Sequence, residues 1–276
     1  HVVLRRLIQE LQIPDPINIA VDEKSFKKGH SYVTIVTDCD LKKVIWVSEG
    51  NKKLSLDQFF QILGAERCAK IQTVSKDLHT PYAASCAEFI PQAIEVADPF
   101  HVVKKLNEAM DECRKELSVG SVLPVGKRKI IFRLNWVLRY KQKNQSEKNM
   151  ASLAELAKIN EPLYFAYLHK EAFYDFFNFK PTEVKQAESF LIQWIVEAFK
   201  SKLKALQAFA EYIKRNTKIL LNIILTERSS AISEGINRKI QVIKSMAYGY
   251  RNLNYFMLKI MQRCGVLGSM WKPANL

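Results

Sequence analysis

The stretch INIAVD at residues 17–22 is a short run of β-branched and apolar residues that ends in an aspartate. Two similar runs follow, IQTVSKD at residues 71–77 and AIEVAD at residues 93–98. Such runs are typical of buried strands, and neighbouring strands lie about 5 Å apart in the hydrogen-bonding direction. Carboxylates at the ends of such strands can converge at one edge of an α/β sheet. The three runs therefore favour an α/β fold and metal-assisted chemistry on phosphate groups.

Strand and helix signals around these runs predict the element order βββαβαβα up to residue 117. The first strands, at residues 17–21, 32–37 and 43–48, are separated by short polar connections and predict an antiparallel meander. Apolar residues at helical spacing then predict helices at residues 55–63, 82–89 and 100–117, which alternate with strands at residues 71–74 and 93–97.

The character of the sequence changes after Leu117, where strand signals largely stop. Residues 120–126 are typical of a break, and helical periodicity then continues almost without interruption to Leu225. Residues 182–214 predict a helical segment with one apolar stripe, formed by Phe199, Leu203, Leu206, Ala210 and Ile213. A last helix at residues 232–248 carries Glu234 opposite a second stripe, formed by Ile236, Ile240, Ile243 and Ala247.

The composition fits a folded protein with one or two domains, because 276 residues are 48% hydrophobic and 25% charged. No apolar run approaches the roughly 20 residues of a membrane span, so we expect no membrane partner. The five cysteines form no C-x-x-C pair, which argues against a disulfide framework and a zinc site and indicates reduced thiols in a cytoplasmic protein. The sequence begins with His1 and shows no signal peptide, so we expect natural residues upstream of it.

Positive charge is concentrated in the second part of the chain. Residues 1–100 contain 12 Lys and Arg against 13 Asp and Glu, whereas residues 101–276 contain 30 against 15. A positive field of this size attracts polyanions, and Lys and Arg gain DNA affinity by releasing counterions from phosphates. An ordinary solvated surface or an anionic membrane would also accommodate the charge. Nucleic acid is favoured, because the basic residues are spread over several segments rather than along one amphipathic helix.

Three groups of residues occur in an order that characterises a known family. They are VDEKSF and KGHSY at residues 21–26 and 28–32, DPFHVVK and LNEA at residues 98–104 and 106–109, and EGINRKI and AYGYRN at residues 234–240 and 247–252. Together they resemble the DDE transposases of bacterial insertion sequences, specifically the ISL-three family. The resemblance implies an α/β, ribonuclease H-like mixed sheet with helices, interrupted by a large all-helical insertion.

The same resemblance implies a division of the chain into four segments. Residues 1–13 would be the end of an N-terminal helix, and residues 14–118 the first part of the ribonuclease H-like catalytic core. Residues 119–226 would form the basic helical insertion, and residues 227–276 the C-terminal part of the core with the third acid. The zinc ribbon and helix-turn-helix of the family would lie outside this sequence.

The resemblance implies that Asp22, Asp77 and Glu234 are the catalytic carboxylates and the metal ligands. Cleavage and transfer of a phosphodiester need an activated nucleophile on one side of the phosphorus and a stabilised leaving oxygen on the other. Two Mg²⁺ ions, or Mn²⁺ in their place, perform both tasks and prefer hard carboxylate oxygens. Three acids can hold both ions.

Each of these acids also has a structural interpretation. Glu23 could replace Asp22 as the ligand, but it would point to the opposite face of an extended strand. Asp77 could be the N-cap of the next helix, an interpretation that the pattern alone would favour. Glu234 could pair with Arg238 four residues later on a solvated helix face.

Further site residues follow from the same resemblance. Asp98 and His101 form an Asp-x-x-His element that is similar to a transposase signature and would act beside the metal ligands, although a capping Asp with a structural His is the alternative. The candidates for contacts with DNA are Lys104, Lys105, Arg238, Lys239, Lys244, Tyr248 and Arg251.

The sequence therefore predicts a transposase catalytic domain that cuts and joins DNA strands at insertion-sequence ends. Its expected partner is double-stranded DNA, both transposon ends and target, on which it would act as a homo-oligomer in the nucleoid of a bacterial cytoplasm. Two alternatives stay open: a catalytically decayed or repurposed DNA-binding protein on the same fold, and a nuclease that only hydrolyses.

Overall fold

The computed structural model describes residues 13–27, 31–78, 81–119, 124–227 and 231–266. The helix expected to end at residue 13 and part of the break expected at residues 120–126 lie outside these ranges. Contacts divide the chain into two compact units. One, the sheet unit, consists of residues 1–98 and 229–276, and the other, the helical unit, consists of residues 99–228.

The described residues of the sheet unit contain five strands. They are β1 (Asn18–Lys27), β2 (Ser31–Asp38), β3 (Lys43–Glu49), β4 (Thr73–Lys76) and β5 (Ile94–Ala97), arranged in the order β3-β2-β1-β4-β5. β1, β2 and β3 pair antiparallel, as the meander predicts, and β4 and β5 add parallel to β1. The mixed α/β sheet is thereby confirmed, and its strand order is compatible with a ribonuclease H-like fold.

Most of the other described residues of both units are helical. The sheet unit begins with α1 (Lys53–Leu63), α2 (Ala65–Cys68) and α3 (Tyr82–Phe89). The helical unit contains α4 (Pro99–Val119), α5 (Val125–Arg133), α6 (Asn135–Arg139), α7 (Glu147–Ile159), α8 (Glu161–Phe173), α9 (Val184–Lys200), α10 (Lys204–Arg215) and α11 (Thr217–Thr226). The sheet unit is completed by α12 (Ala231–Met246) and by α13 (Leu253–Cys264), a helix that the sequence pattern did not predict.

Two apolar clusters bury the two faces of the sheet. Alternate side chains of β1 make this arrangement possible, because successive residues of a strand point to opposite faces. On one face, Ile19 and Val21 belong to a cluster that also contains residues of α1 and α3. On the other face, Ile35 of β2 packs in a cluster with Ile236 and Ile240 of α12 and with residues of α13. The isoleucine stripe of α12 is therefore core, as expected, but the helix ends at Met246.

The helical periodicity of residues 182–214 is divided between α9 and α10. Lys202 adopts a left-handed conformation with φ of 59°, which no α-helix can contain. Leu203, Leu206, Ala210 and Ile213 are buried, whereas Phe199 at the end of α9 is 39% exposed. The predicted single stripe is therefore wrong at this junction, because one backbone turn separates the two amphipathic helices.

An aromatic cluster forms part of the core of the helical unit. Phe173 of α8 meets Trp194 of α9 and Phe209 of α10, with ring centroids 5.1 Å and 5.5 Å away, both edge to face. Such pairs stabilise a core beyond the area they bury. Across the described ranges of both units, no helix combines the length and the apolar character that crossing a bilayer requires.

Candidate active site

Asp22 and Asp77 each follow the paired part of two adjacent parallel strands, β1 and β4. Asn18 pairs with Thr73 and Ala20 with Ser75 in the ladder between β1 and β4. Asn18 and Thr73 point to the same face, since the Thr73 hydroxyl donates to Asn18 Oδ1 at 2.8 Å. Continuing this register by two residues brings Asp22 level with Asp77 on that face. The register of the two strands therefore directs both aspartates toward one edge of the parallel part of the sheet.

The third strand-end aspartate continues the same row. Lys76 pairs with Ala97 in the ladder between β4 and β5, and the backbone N–H of Asp98 donates to the Lys76 carbonyl at 3.1 Å. Asp77 and Asp98 therefore each follow their strand at the same level. The order and register of β1, β4 and β5 therefore agree with the predicted row of three aspartates.

Asp22 differs from the prediction in one respect, because it does not end its strand. β1 continues to Lys27, held by antiparallel pairing with β2. What ends near Asp22 is the parallel ladder to β4, whose last pair is Ala20 with Ser75. The carboxylate therefore projects from a continuous strand, which gives it a more rigid backbone than a strand end would.

Hydrogen bonds orient the Asp22 carboxylate toward α12. The backbone N–H of Glu23 donates to Oδ1 at 2.7 Å, and Asn237 Nδ2 donates to Oδ2 at 2.5 Å. Lys24 Nζ lies 3.5 Å from Oδ2, and the Asp22 side chain is 13% exposed. Asn237 was not among the residues singled out from sequence, although its place three residues after Glu234 could have indicated it.

Glu23 points away from this site. Its Oε2 accepts a hydrogen bond from Asn51 Nδ2 at 2.9 Å, near the start of α1, whereas Asp22 contacts α12 on the other face. The alternation of side chains along β1 accounts for the difference. Of the two neighbouring acids, Asp22 is therefore the one that shares a face with α12.

Asp77 is half-buried directly after β4. The alternative role as an N-cap does not apply, because α3 begins at Tyr82 and its N-cap residue is Pro81. Asp77 therefore stands directly after β4 and is not the cap of the next helix.

Glu234 lies in the first turn of α12, where it forms an ion pair with Arg238. Their side chains are 40% and 79% exposed, so the pair is on the surface and contributes little to stability. Glu234 and Asn237 are three residues apart and share one face of the helix. Because Asn237 reaches Asp22, Glu234 lies one helical turn from the contact between α12 and β1.

The chemistry of these side chains suits a hard divalent cation. Asp22, Asp77 and Glu234 offer only carboxylate oxygens, which Mg²⁺ prefers. The register between β1 and β4, which leads toward Asp22 and Asp77, also agrees with shared ligation. Within the described ranges, however, no three His, Cys, Asp or Glu residues are grouped as a metal site.

Asp98 and His101 lie on either side of the boundary between the two units. Asp98 is 6% exposed at the end of the sheet-unit segment. His101 is in the first turn of α4, where its ring meets that of Phe100 edge to face at 5.5 Å. Each residue is thus fixed within its own unit, and their predicted joint role stays a prediction.

The DNA-contact candidates of α12 lie beside a cleft of about 450 Å³ between α12 and α13. Arg238 and Lys239 line it from α12, and Lys259 and Arg263 line it from α13. These last two cations were not predicted, because α13 itself was not. The remaining lining residues are Val242, Ile243, Met246 and Tyr250. The cleft combines an apolar floor with four cations.

The other DNA-contact candidates are in different surroundings. Lys244 Nζ donates to the Ser25 carbonyl at 2.8 Å, so this lysine ties α12 to β1. Tyr248 and Arg251 are exposed in the turn after α12. In the helical unit, Lys104 pairs with Glu108 at 4.0 Å, and Lys105 Nζ lies 5.1 Å from the Tyr212 ring centroid.

Comparison with known proteins identifies the family. Residues 19–260 match a family model described as "Transposase". The chain is 33% identical over 244 residues to the transposase for insertion sequence element IS1001 of Bordetella parapertussis, covering 88% of this chain and 59% of that protein. It is also 33% identical over 255 residues to the transposase for insertion sequence element IS1557 of Mycobacterium tuberculosis, covering 85% of this chain and 57% of that protein. The chain thus spans less than two thirds of the length of these relatives, and it belongs to the ISL-three family of transposases.

Proposed function

We propose that this chain is the catalytic part of a transposase that cleaves and transfers DNA strands at the ends of an insertion sequence. The observation that carries the proposal is that Asp22 is bonded to the helix that bears Glu234. The parallel ladder between β1 and β4, which ends two residues before Asp22 and Asp77, supports it. Membership of a transposase family supports the same reaction class.

In this proposal Asp22, Asp77 and Glu234 hold the metal ions. A bound pair of Mg²⁺ or Mn²⁺ ions would supply activation of the attacking oxygen and neutralisation of charge on the leaving oxygen. Asn237 keeps Asp22 Oδ2 in a fixed direction, as an outer partner of a ligand does. Arg238 must release Glu234, or share it, when that carboxylate binds a cation. Asp98 and His101 would orient groups beside the three acids.

The proposed partner is double-stranded DNA, at the transposon ends and at the target. Basic residues of both units supply the phosphate contacts, and residues 119–226 act as a basic helical insertion in a ribonuclease H-like core. Pairing of two transposon ends requires two active sites, so we propose a homo-oligomer on DNA. Such a protein would work in the bacterial nucleoid.

A strand-cleavage assay with matched variants tests the assignment of the triad. Asp22→Asn, Asp77→Asn and Glu234→Gln should each abolish Mg²⁺-dependent nicking of a plasmid that carries the element ends. Glu23→Gln is the matched control, since Glu23 is the neighbour of Asp22 on the opposite sheet face and should leave nicking intact. Retained nicking in any of the three triad variants would show that the triad is assigned wrongly.

The products of the same assay separate the alternative functions. Nicked ends that become joined to target DNA indicate a transposase. Nicked ends without joined products indicate a hydrolytic nuclease, and DNA binding without either product indicates a repurposed DNA-binding protein. A gel of end-labelled DNA distinguishes all three outcomes.

A further inference from the structure

Three aromatic side chains of the helical unit are exposed at intervals of four residues. Phe132 is 68% exposed, Trp136 is 65% exposed and Tyr140 is 52% exposed. We call these three residues the aromatic strip. Large aromatic side chains are normally among the most buried, so three consecutive exposures at regular spacing need an explanation.

The exposure does not result from a loosely packed segment. Beside the exposed rings along the chain, Ile131, Leu134 and Leu138 are each at most 4% exposed and anchor α5 and α6 in the core. The segment therefore has an apolar inner side that is used for packing. The aromatic strip is an additional apolar surface on the same short segment.

Hydrogen bonds from buried cations fix the backbone beneath the strip. Arg114 Nη1 donates to the Phe132 carbonyl at 3.3 Å. Lys170 Nζ, fully buried, donates to the carbonyls of Leu138 at 2.8 Å and Tyr140 at 3.1 Å. Because its backbone is held in this way, the aromatic strip loses little conformational entropy when a ligand binds to it.

The segment that carries the strip is rich in positive charge, although Arg139 of this segment and Arg114 of α4 both pair with Asp111. Residues 117–146 contain seven Lys and Arg and no Asp or Glu. Arginines also contact two of the rings directly. The Arg114 guanidinium carbon lies 5.1 Å from the Phe132 ring centroid, and that of Arg139 lies 5.6 Å from the Trp136 ring centroid.

We propose that the aromatic strip binds unpaired nucleotides of single-stranded DNA, with bases stacked on Phe132, Trp136 and Tyr140 and phosphates held by the surrounding cations. Flat rings in a cationic setting are the chemistry that single strands recognise, because every base has a π-face and every linkage a negative charge. A duplex offers its phosphates but keeps its bases stacked inside. The strip therefore distinguishes unpaired from paired DNA.

The choice of DNA over RNA rests on the proposed function, in which strands separate near a cleaved end. The binding itself does not depend on catalysis. It can therefore be measured in EDTA, where cleavage cannot occur, and with the Asp22→Asn variant, which should bind single strands as well as the parent protein does. Loss of cleavage and loss of single-strand binding are thus separate results.

The test compares fluorescence anisotropy of a labelled oligo(dT) strand with that of a duplex of equal length, in EDTA. Trp136→Ala should weaken single-strand binding about tenfold, as the removal of one stacking ring does, and should change duplex binding far less. Phe132→Ala and Tyr140→Ala should act in the same direction. Trp136→Phe, which keeps a flat ring and guards against misfolding, should retain most of the affinity.

Two results would overturn the proposal. If the alanine variants weaken single-strand and duplex binding equally, the strip contacts phosphates and does not recognise unpaired bases. Single-strand binding that is unchanged in all three alanine variants would also contradict the proposal. If poly-glutamate binding then depends on Trp136, the surface belongs to an acidic protein partner.

Discussion

Asn237 of α12 donates a hydrogen bond to Asp22 Oδ2 of β1 at 2.5 Å, although the two residues are 215 positions apart in sequence. The bond connects the strand of the first proposed ligand to the helix of the third. Since β1 is held by β2 and α12 packs on the same sheet face, the contact fixes the direction of one carboxylate oxygen. Asn237 is therefore a positioning residue for the proposed metal site.

Loss of this bond should weaken metal binding more than the chemical step. We expect Asn237→Ala to raise the Mg²⁺ concentration at half-maximal cleavage about 10- to 100-fold, as removal of an outer partner of a ligand does. A Mg²⁺ titration of the nicking rate measures the shift. Ser245→Ala, an exposed position on the same helix, should leave the midpoint unchanged. If Asn237→Ala lowers the thermal midpoint of unfolding but not the Mg²⁺ affinity, its role is structural only.

Tyr248 lies in a turn and has a backbone conformation that is unfavourable for tyrosine. Its φ is 50°, in the left-handed region, and its side chain is fully exposed. Tyr248→Asn should stabilise the chain by up to about 1 kcal/mol, because asparagine tolerates this conformation better than tyrosine. Thermal unfolding measures the gain.

The same substitution tests the proposed contact between Tyr248 and DNA. Affinity for DNA with a frayed end should fall in Tyr248→Asn and be kept in Tyr248→Phe, which retains the ring and gains no stability. An asparagine variant that is more stable and binds DNA equally well would remove Tyr248 from the DNA-contact set.

Lys170 should be a strong determinant of stability in the helical unit. Its buried ammonium bonds to the carbonyls of Leu138 and Tyr140 and pairs with Glu171 at 2.8 Å. Lys170→Met should destabilise the fold by about 3 kcal/mol, because it leaves two carbonyls and one carboxylate without this donor. Urea unfolding gives the change in free energy, and Lys143→Met at an exposed position of the neighbouring turn is the control. A change below about 1 kcal/mol in Lys170→Met would contradict the buried network.

His169 should make the stability depend on mildly acidic pH. Burial lowers the pKa of His169 below its usual value of 6.5, opposed by its bond to the Trp194 carbonyl. The unfolded chain then binds more protons than the folded chain below pH 6.5. The contribution of the neutral His169 ring to the free energy of unfolding is therefore complete above pH 6.5. It is lost as the pH falls toward the lower pKa of the folded state.

Thermal unfolding at pH 7.5 and at pH 5.5 measures this effect. We expect a lower midpoint at pH 5.5 for the parent protein and a smaller difference for His169→Gln, which cannot titrate. Fluorescence of Trp194, whose ring stacks on His169 with centroids 4.2 Å apart, reports on the same region. Equal pH differences in the two proteins would assign the titration to another group.

Local patterns were sufficient for much of the sheet. The runs that end in Asp22, Asp77 and Asp98 contain the first half of β1 and all of β4 and β5, because short β-branched segments between polar connections favour strands. Alternation along a strand also separated Asp22 from Glu23 without any tertiary information. The extent of β1 past Asp22 was not predictable, since it depends on pairing with β2.

Helix boundaries in the second half of the chain were harder to predict. Lys202, in a left-handed conformation, separates α9 from α10, and no glycine or proline in that stretch indicates the break. α13 was missed for a different reason. The apolar face of α13 packs against the sheet and α12, and helical periodicity in the sequence did not indicate this packing.

By itself, the sequence determined the residue types of the proposed chemistry, the strand runs that carry them and the family motifs, because these depend on local composition and spacing. Only the tertiary structure decided the order and register of the strands that carry the three aspartates and the contact between Asn237 and Asp22. Register and contacts between distant segments depend on how whole faces of the sheet and helices pack, and no local run of residues contains that information.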